Sequence, residues 1–396
     1  MNDNLIESQR YWDQHAESDP LWTVLAFPDK SGGRWTLQEF MKTGEREIAL
    51  LFHRFAALQL GQPSRRALDF GCGVGRLTQA LARRVERVAG ADISPVMIEL
   101  ARKLNRYPDK AEYICTAHSG LESLPAKSFQ LIYSNIVLQH VLPDVAVKYL
   151  QEFFRLLEPG GLLIFQLPSH RDSPVEAEIK PMPDEAYRAG IELAAALPPS
   201  AAASSELCVA LRVRNASAHA WQQPHVGPLA VGNHWLDASG ELMLVQDDGR
   251  APLLQIVPSG LEWPVLLMIH APAEPGKYVG EIDLVHEGVT WYGNKGSPKL
   301  RFTIDVTRSS TADTNARPTM IREYPIPDYP EDVLPKSSRT SAPPPQANFP
   351  MHGVPRETVM TLITKYGGRL AYLEEDRRAG PEWVSYRYFV VGGTPG

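Results

Sequence analysis

The feature of this sequence that most constrains its fold is a glycine turn between two apolar stretches, followed by an acidic residue. The stretch Ala67-Leu-Asp-Phe-Gly-Cys-Gly-Val-Gly-Arg76 is typical of a buried strand, a turn and the start of a helix, and Asp92 ends the next strand-like run. The glycine spacing, Gly71-x-Gly73-x-Gly75, departs from the G-x-G-x-x-G pattern of dinucleotide-binding turns. The carboxylate of Asp69 would repel a pyrophosphate and attract an ammonium group. The motif therefore predicts a nucleoside-bearing ligand with a positive charge.

These residues resemble the cofactor motif of the class I methyltransferases that use S-adenosylmethionine (SAM). The resemblance implies an α/β fold, a seven-stranded Rossmann-like sheet, with SAM as the cofactor. It implies that Asp69 accepts from the amino group of SAM, that Asp92 binds the ribose hydroxyls and that Asn135 lines the methionine portion. The full set of cofactor-binding residues implied is Asp69, Gly71, Cys72, Gly73, Gly75, Asp92, Ile93, Leu121 and Asn135.

One position departs from the family pattern. Related enzymes often carry an acidic residue after the third strand, where it binds the adenine amino group, and Gly120 stands there in this sequence. We therefore expect backbone groups around Ala117 and Leu121 to hold the adenine instead.

His140 is the candidate catalytic residue. It ends the stretch Ser134-Asn-Ile-Val-Leu-Gln-His140, which the resemblance places beside the departing methyl group. A hydroxyl acceptor needs a base to remove its proton, and histidine, with an ordinary pKa near ~6.5, suits that task at neutral pH. The alternative is that His140 only packs and hydrogen-bonds within its turn. His118 and His170 are other candidate bases at strand ends.

The pattern along the chain predicts a methyltransferase sheet interrupted by a β domain. Strands and helices alternate after an aromatic-rich helical segment, which resembles the cap over the acceptor pocket of related enzymes, with Tyr11, Arg34 and Trp35 as closing residues. Period-two stretches then predict an inserted Ig-like β-sandwich. The predicted parts are the methyltransferase domain with strands one to five (1–170), a linker (171–204) with a helix around Asp184 to Leu197, the sandwich (205–306), a Pro-rich linker (307–350), and a helix and β-hairpin that complete the sheet (351–396).

The inserted domain contains a four-tryptophan pattern. It resembles that of Ig-like modules that accompany enzymes of bacterial surface-polysaccharide assembly. The tryptophans either stack on sugar rings or fill the core, and the usual packing role of aromatic residues favours the core. We expect Gly232–Leu236 and Gln246–Arg250 to be polar loops that present a ligand or partner surface. The four residues are Trp221, Trp235, Trp263 and Trp291.

Composition argues against several classes of protein. A net charge of -6 gives no basic footprint for nucleic acid. No apolar run approaches the ~18 residues of a membrane span. The three cysteines show no metal-binding spacing and suggest a reducing compartment. We therefore expect a cytoplasmic enzyme without a metal.

The leading functional hypothesis from the sequence is O-methylation of a sugar in a surface glycan or its lipid-linked precursor. The glycan part depends on the resemblance of the inserted domain alone, with polysaccharide-assembly enzymes or a second copy of the chain as possible partners. One alternative is a small-molecule methyltransferase whose β domain serves dimerisation or lid control. The other is a catalytically degenerate scaffold with a binding β domain.

Overall fold

The computed structural model of the protein describes residues 3–116, 120–172, 181–221, 229–254, 256–308, 323–329, 333–334 and 349–393. The chain forms two compact units. The first comprises Met1–Phe52, Gly61–Ser173 and Arg322–Gly396, and the second comprises His53–Leu60 and Pro174–Ile321.

The first unit is built on a seven-stranded sheet, as the motif predicts. Strands β1 to β5 pair in parallel, and the two tail strands add to β5 in antiparallel fashion. The strands are β1 (Arg66–Phe70), β2 (Arg87–Asp92), β3 (Ala111–Cys115), β4 (Phe129–Ser134), β5 (Leu157–Arg171), β15 (Arg369–Glu375) and β16 (Trp383–Val391), and the sheet order is β15-β16-β5-β4-β1-β2-β3.

Helices follow where the sequence carries start signals. Ser94 caps the helix that follows β2, because its Oγ accepts from Met97 N at 3.1 Å, and Pro95 occupies the first helical position. The helices are α1 (Asp3–Ser18), α2 (Pro20–Val24), α3 (Leu37–Ala57), α4 (Arg76–Leu81), α5 (Pro95–Leu104), α6 (Pro143–Leu156) and α7 (Arg356–Lys365).

The parallel strands bring the ends of the motif segments together. The carboxyl ends of parallel strands lie at one edge of a sheet, and ligands of such folds bind there. Asp69 is near the end of β1, Asp92 ends β2, and Asn135 follows β4. The edge therefore collects the residues that the sequence singles out.

Part of the segment predicted as a Pro-rich linker belongs to the first unit and packs within it. Ile326 and Tyr329 join an apolar cluster with residues of α3, and Tyr324 N donates to Glu45 Oε1 at 2.8 Å. This packing uses isolated aromatic and aliphatic side chains without periodicity, so the sequence pattern gave no signal of it.

The second unit consists of two antiparallel-rich sheets around one core. Apolar side chains of both sheets meet in a single buried cluster. Its strands are β6 (Ala189–Leu193), β7 (Ser200–Ala202), β8 (Glu206–Asn215), β9 (Leu229–Leu236), β10 (Met243–Pro252), β11 (Glu262–His270), β12 (Gly276–His286), β13 (Thr290–Trp291) and β14 (Leu300–Thr307). One sheet has the order β10-β9-β12-β14-β7 with β13 beside β12, and the other has the order β11-β8-β6.

Two local predictions for this unit are wrong. The expected helix from Asp184 to Leu197 is a 3-10 turn, Asp184–Ala186, followed by β6, which pairs with β8; strand pairing overrides the helix propensity of its alanines and leucines. The expected loops are strands. Gly232–Leu236 lies in β9, a buried central strand, and Gln246–Arg250 lies in β10.

The core interpretation of the tryptophans is confirmed for Trp221 and Trp235. Their side chains are fully buried, and their indole N–H groups donate to Ala186 O at 2.9 Å and His270 O at 2.9 Å, respectively. Trp263 packs at the margin of the same core, and Trp291 is half-buried under the guanidinium of Arg250. The likeness of this unit to Ig-like domains stays a prediction.

Candidate functional site

A cavity of about 630 Å³ lies at the carboxyl edge of the sheet in the first unit. Its size falls within the range of about 300–1,000 Å³ that is usual for small-molecule sites. The predicted residues in its wall are Gly71, Cys72, Gly73, Asp92, Ile93, Asn135 and His140. The other three predicted residues, Asp69, Gly75 and Leu121, are buried but do not line the cavity.

The glycine turn forms a cradle that has no room for a side chain. Gly71 and Gly73 have φ angles of +77° and +52°, in the left-handed region that favours glycine. A Cβ on Gly71 would lie 2.1 Å from Val137 Cγ2. Gly71 N also donates to Ala91 O at 2.8 Å, which ties the turn to β2. The backbone conformation therefore favours glycine at both positions, and the packing of Val137 also excludes a side chain at Gly71.

Asp92 presents a carboxylate in the cavity wall. Its Oδ2 accepts from Gly73 N at 2.8 Å and its Oδ1 accepts from Ser94 N at 2.9 Å. Burial raises the pKa of Asp92, and these two hydrogen bonds act in the opposite direction. Each carboxylate oxygen has a second lone pair. Asp92 can therefore accept from two hydroxyls of a bound ribose without losing its backbone bonds.

Asp69 is a buried acid whose second oxygen has no hydrogen-bond partner. Its Oδ2 accepts from Thr78 Oγ1 at 2.6 Å, and Oδ1 is buried without a partner. Burial raises the pKa of Asp69 to about 7, although Thr78 and Arg76 act to lower it. A buried carboxylate without enough donors favours a nearby cation.

SAM binding is therefore expected to weaken as the pH falls. Below pH 7 Asp69 becomes protonated and neutral, so it no longer attracts the ammonium group of SAM. With a pKa of about 7, the Kd for SAM should rise about tenfold between pH 7.5 and pH 6, as measured by titration calorimetry. The variant Asp69→Asn should bind SAM weakly with a flat pH dependence. A wild-type Kd that does not change over this range would contradict the role of Asp69.

Glu47 is a cavity residue that the sequence analysis missed. Its Oε1 accepts from Tyr133 Oη at 2.7 Å and Asn135 Nδ2 at 2.5 Å, and its Oε2 accepts from Arg76 Nη2 at 3.0 Å. Burial acts to raise the pKa of Glu47, but Arg76 and Arg387 outweigh it and the pKa is lowered. The sequence signal for its role was that Glu47 is an acidic residue among the regularly spaced apolar residues of α3.

Asn135 has a fixed side chain and a free acceptor oxygen in the described structure. Because its Nδ2 donates to Glu47, its amide is fixed, and its Oδ1 is buried without a partner in the described structure. This oxygen gives the cavity wall an acceptor that suits an ammonium group.

His140 lines the cavity, but both of its ring nitrogens are engaged. Nδ1 lies 2.9 Å from Pro350 O, which can only accept, so Nδ1 carries the proton. Nε2 then accepts from Gln139 Nε2 at 3.0 Å. Burial lowers the pKa of His140 to about 4. The imidazole is therefore neutral at physiological pH and a weak base; its predicted catalytic role stays a prediction.

The aromatic residues near the cavity come from both ends of the chain. Phe349 stacks on Trp12, with ring centroids 5.5 Å apart, and lies 5.8 Å from the ring of His140. Trp12 and Phe349 both line the cavity. Of the predicted closing residues, Tyr11 contacts Phe349, whereas Arg34 is exposed and Trp35 is buried with its indole donating to Leu25 O. Of the three expected closing residues, Tyr11 is therefore the one that contacts this aromatic group, and a cap over the acceptor stays a prediction.

The remaining candidate positions contribute less. His118 and Ala117 lie outside the described residues, and His170 is exposed and away from the cavity wall. Leu121 is buried, and its carbonyl accepts from Arg155 Nη2 at 2.9 Å. In the described part of the chain, no cluster of three or more His, Cys, Asp or Glu side chains could hold a metal, and no helix is long and apolar enough to cross a membrane.

The residues at this edge fit SAM. The cavity wall offers the Asp92 carboxylate for ribose, the glycine turn and an unfilled acceptor at Asn135 Oδ1, while Asp69 Oδ1 is a second unfilled acceptor that is buried and does not line the cavity. Apolar side chains of Ile93 and Met97 also line it and can pack against an adenine ring.

Comparison with known proteins agrees with this geometry. The family model of the methyltransferase domain matches residues 68–165. The chain is 30% identical over 200 residues to trans-aconitate 2-methyltransferase of Methylobacterium nodulans, a match that covers 50% of this chain and 74% of that protein. It is 31% identical over 147 residues to the enzyme of the same name from Rhodopseudomonas palustris, covering 35% of this chain and 52% of that protein. The chain thus spans about half the length of several relatives that it matches.

A solved SAM-dependent methyltransferase from Clostridium acetobutylicum is also similar, with a TM-score of 0.36 and 11% identity over 92% of this chain and 96% of that one. A likeness this distant adds nothing to the assignment, which rests on the sequence matches. From the seven-stranded sheet, the family match over its first five strands and the extended match to the Methylobacterium enzyme, we conclude that the chain belongs to the class I SAM-dependent methyltransferase family.

Proposed function

We propose that this chain transfers a methyl group from SAM to a small-molecule acceptor that enters the same cavity. One observation carries the proposal: the wall of a single cavity continues from the cofactor residues to a second group of side chains that the cofactor motif does not include. This second group comprises Trp12, Glu47, Phe349, Met351 and Arg378. The cavity thus has a wall for each of two reactants.

The chain would contribute mainly orientation. When bound, SAM supplies an electrophilic methyl group on a sulfonium. Asp92, the glycine turn and Asn135 would hold the donor, while the aromatic pair Trp12 and Phe349 would exclude water and pack against the acceptor. Holding two reactants in near-attack geometry supplies ~7–11 kcal/mol of the barrier.

The similar proteins suggest the first acceptor to try. Two of them are named for the methylation of trans-aconitate. The glycan acceptor of the leading sequence hypothesis has less support, because Trp221 and Trp235 are buried in the core of the second unit and cannot stack on sugars. Roles of the second unit in partner binding, dimerisation or lid control stay predictions.

Transfer of labelled methyl groups tests the proposal. The full chain would be assayed with labelled SAM and a panel of small carboxylic acids, hydroxylated small molecules and sugars, beside titration calorimetry with SAM. We expect SAM to bind and label to enter a small molecule. Absence of SAM binding would favour a degenerate scaffold, and labelling of sugars alone would restore the glycan hypothesis.

His140 is expected to affect turnover only modestly. A true general base contributes ~10²–10⁴-fold, but this imidazole has a lowered pKa and its Nε2 already accepts a hydrogen bond. We expect His140→Ala to lower kcat less than tenfold, and the wild-type kcat to be flat between pH 6 and 8. A fall of 100-fold or more with unchanged SAM binding would establish His140 as the base.

A further inference from the structure

Arg378 is a cation in the cavity wall that the cofactor motif does not explain. It lies in a short 3-10 turn, Arg377–Ala379, between β15 and β16, and a third of its side chain is exposed. The residues that follow it, Ala379 and Gly380, also line the cavity. The tail strands that complete the sheet therefore place a guanidinium in the second group of side chains that line the cavity.

Asp376 holds this guanidinium in one orientation. The Arg378 Nε donates to Asp376 Oδ1 at 3.0 Å and Oδ2 at 3.1 Å, and the Arg378 backbone N–H donates to the same carboxylate at 3.0 Å. Asp376 is itself fixed by Arg387, whose Nη2 donates to it at 2.6 Å, and both of these side chains are at least nine-tenths buried. The buried carboxylate of Asp376 therefore fixes the position of the Arg378 guanidinium, which is not held by flexible side chains on the surface.

The Arg378 guanidinium has N–H donors that Asp376 does not engage. Arginine has five N–H donors, and Asp376 engages those of Nε and Nη2. Nη1 forms an ion pair with Glu47 Oε1 at 3.7 Å, which is beyond hydrogen-bond distance. Glu47 is already satisfied by Arg76, Tyr133 and Asn135. Arg378 can therefore offer Nη1 to a ligand.

We propose that Arg378 binds a carboxylate of the methyl acceptor, which makes the acceptor a small carboxylic acid. This inference rests on the proposed function. The planar guanidinium matches a carboxylate in geometry and charge. The methionine carboxylate of SAM offers the same chemistry, but Arg378 reaches the cavity from the tail strands, whereas the cofactor motif lies on β1, β2 and β4.

The engaged state of His140 agrees with an acidic acceptor. A carboxylic acid is already ionised at neutral pH, so its oxygen needs no base before it accepts a methyl group. The His140 imidazole in the cavity wall donates to Pro350 O and accepts from Gln139, so the site suits a carboxylate acceptor better than a hydroxyl.

Two variants of Arg378 and one matched control test the inference. Arg378→Gln removes the charge and Arg378→Lys keeps it without the planar fork. The control is Arg377→Gln. Arg377 is the residue next to Arg378 and its side chain is 86% exposed, so this variant removes an equal charge outside the site. Trans-aconitate is the acceptor probe, and its trimethyl ester is the uncharged analogue. KM and kcat are measured by labelled-methyl transfer, and the Kd for SAM is measured by calorimetry.

We expect Arg378→Gln to raise the KM for trans-aconitate roughly 10–100-fold, the usual effect of losing a hydrogen bond between charged groups. Arg378→Lys should show a smaller rise, while the Kd for SAM and the control variant should stay within about twofold of wild type. The trimethyl ester should bind poorly to wild type in the presence of S-adenosylhomocysteine.

Three results would overturn the inference. One is an unchanged KM in Arg378→Gln, and a second is a Kd for SAM that rises in step, which would assign Arg378 to the cofactor carboxylate. The third is wild-type enzyme that methylates uncharged acceptors but neither methylates nor binds small di- and tricarboxylates. In all three the methyltransferase assignment survives, whereas wild type that fails to bind SAM would remove the proposed function itself.

Discussion

Replacing Asp92 by alanine is expected to weaken SAM binding about 100-fold or more. Asp92 can accept from two ribose hydroxyls, and each hydrogen bond to a charged group contributes about 1.5–3 kcal/mol. The same carboxylate holds Gly73 N and Ser94 N, so its loss also loosens the glycine cradle. Titration calorimetry with SAM measures the effect.

The matched control for Asp92 is Glu99→Ala. Glu99 is an exposed acid on α5 that pairs with Lys103, and its loss should leave the Kd for SAM within about twofold of wild type. Asp92→Asn, which keeps the shape and one acceptor oxygen, should fall between the two. Wild-type affinity in Asp92→Ala would rule out this carboxylate as the ribose-binding group.

Replacing Asp376 by alanine is expected to lower the free energy of unfolding of the first unit by about 3–5 kcal/mol. Asp376 is buried between Arg378 and Arg387, and Arg387 is buried almost completely. Removing the carboxylate leaves the Arg387 guanidinium in the interior with Glu374 as its paired acid. The Arg387 Nη2 then lacks its acceptor in the interior, and this desolvated charged donor, rather than a lost attraction, accounts for the size of the effect.

Urea denaturation measures this change, and the transition that SAM shifts to higher urea identifies the first unit. The control is Arg377→Ala on the same turn as Arg378. It breaks the ion pair with Glu375 at the end of β15 but removes an exposed side chain, and it should cost about 0–1 kcal/mol. Equal losses in the two variants would contradict the buried network. Asp376→Ala should also raise the KM of the acceptor, since Arg378 loses its support.

Local pattern predicted the elements around the cofactor motif. The segment from Asp69 to Asp92 carries its strand, turn and helix signals within a short stretch, and the cavity wall includes Gly71, Gly73, Asp92 and Ile93. The return of the tail to the sheet was also predicted, because two strand-like runs after α7 matched the two strands missing from the fold. Where tertiary pairing competed with local propensity, as in β6 and the Gln246–Arg250 part of β10, prediction failed.

The sequence by itself determined the fold of the first unit and the type of cofactor, because strand periodicity, glycine spacing and the two acids act over neighbouring residues. Only the tertiary structure decided which other side chains line the cavity. Glu47, Phe349 and Arg378 lie far apart along the chain and meet at one cavity because β16 pairs with β5 and carries the tail turn to the same sheet edge. No local sequence pattern predicts that these three side chains lie together. Their proximity depends on which strands pair and on which side chains then face the cavity.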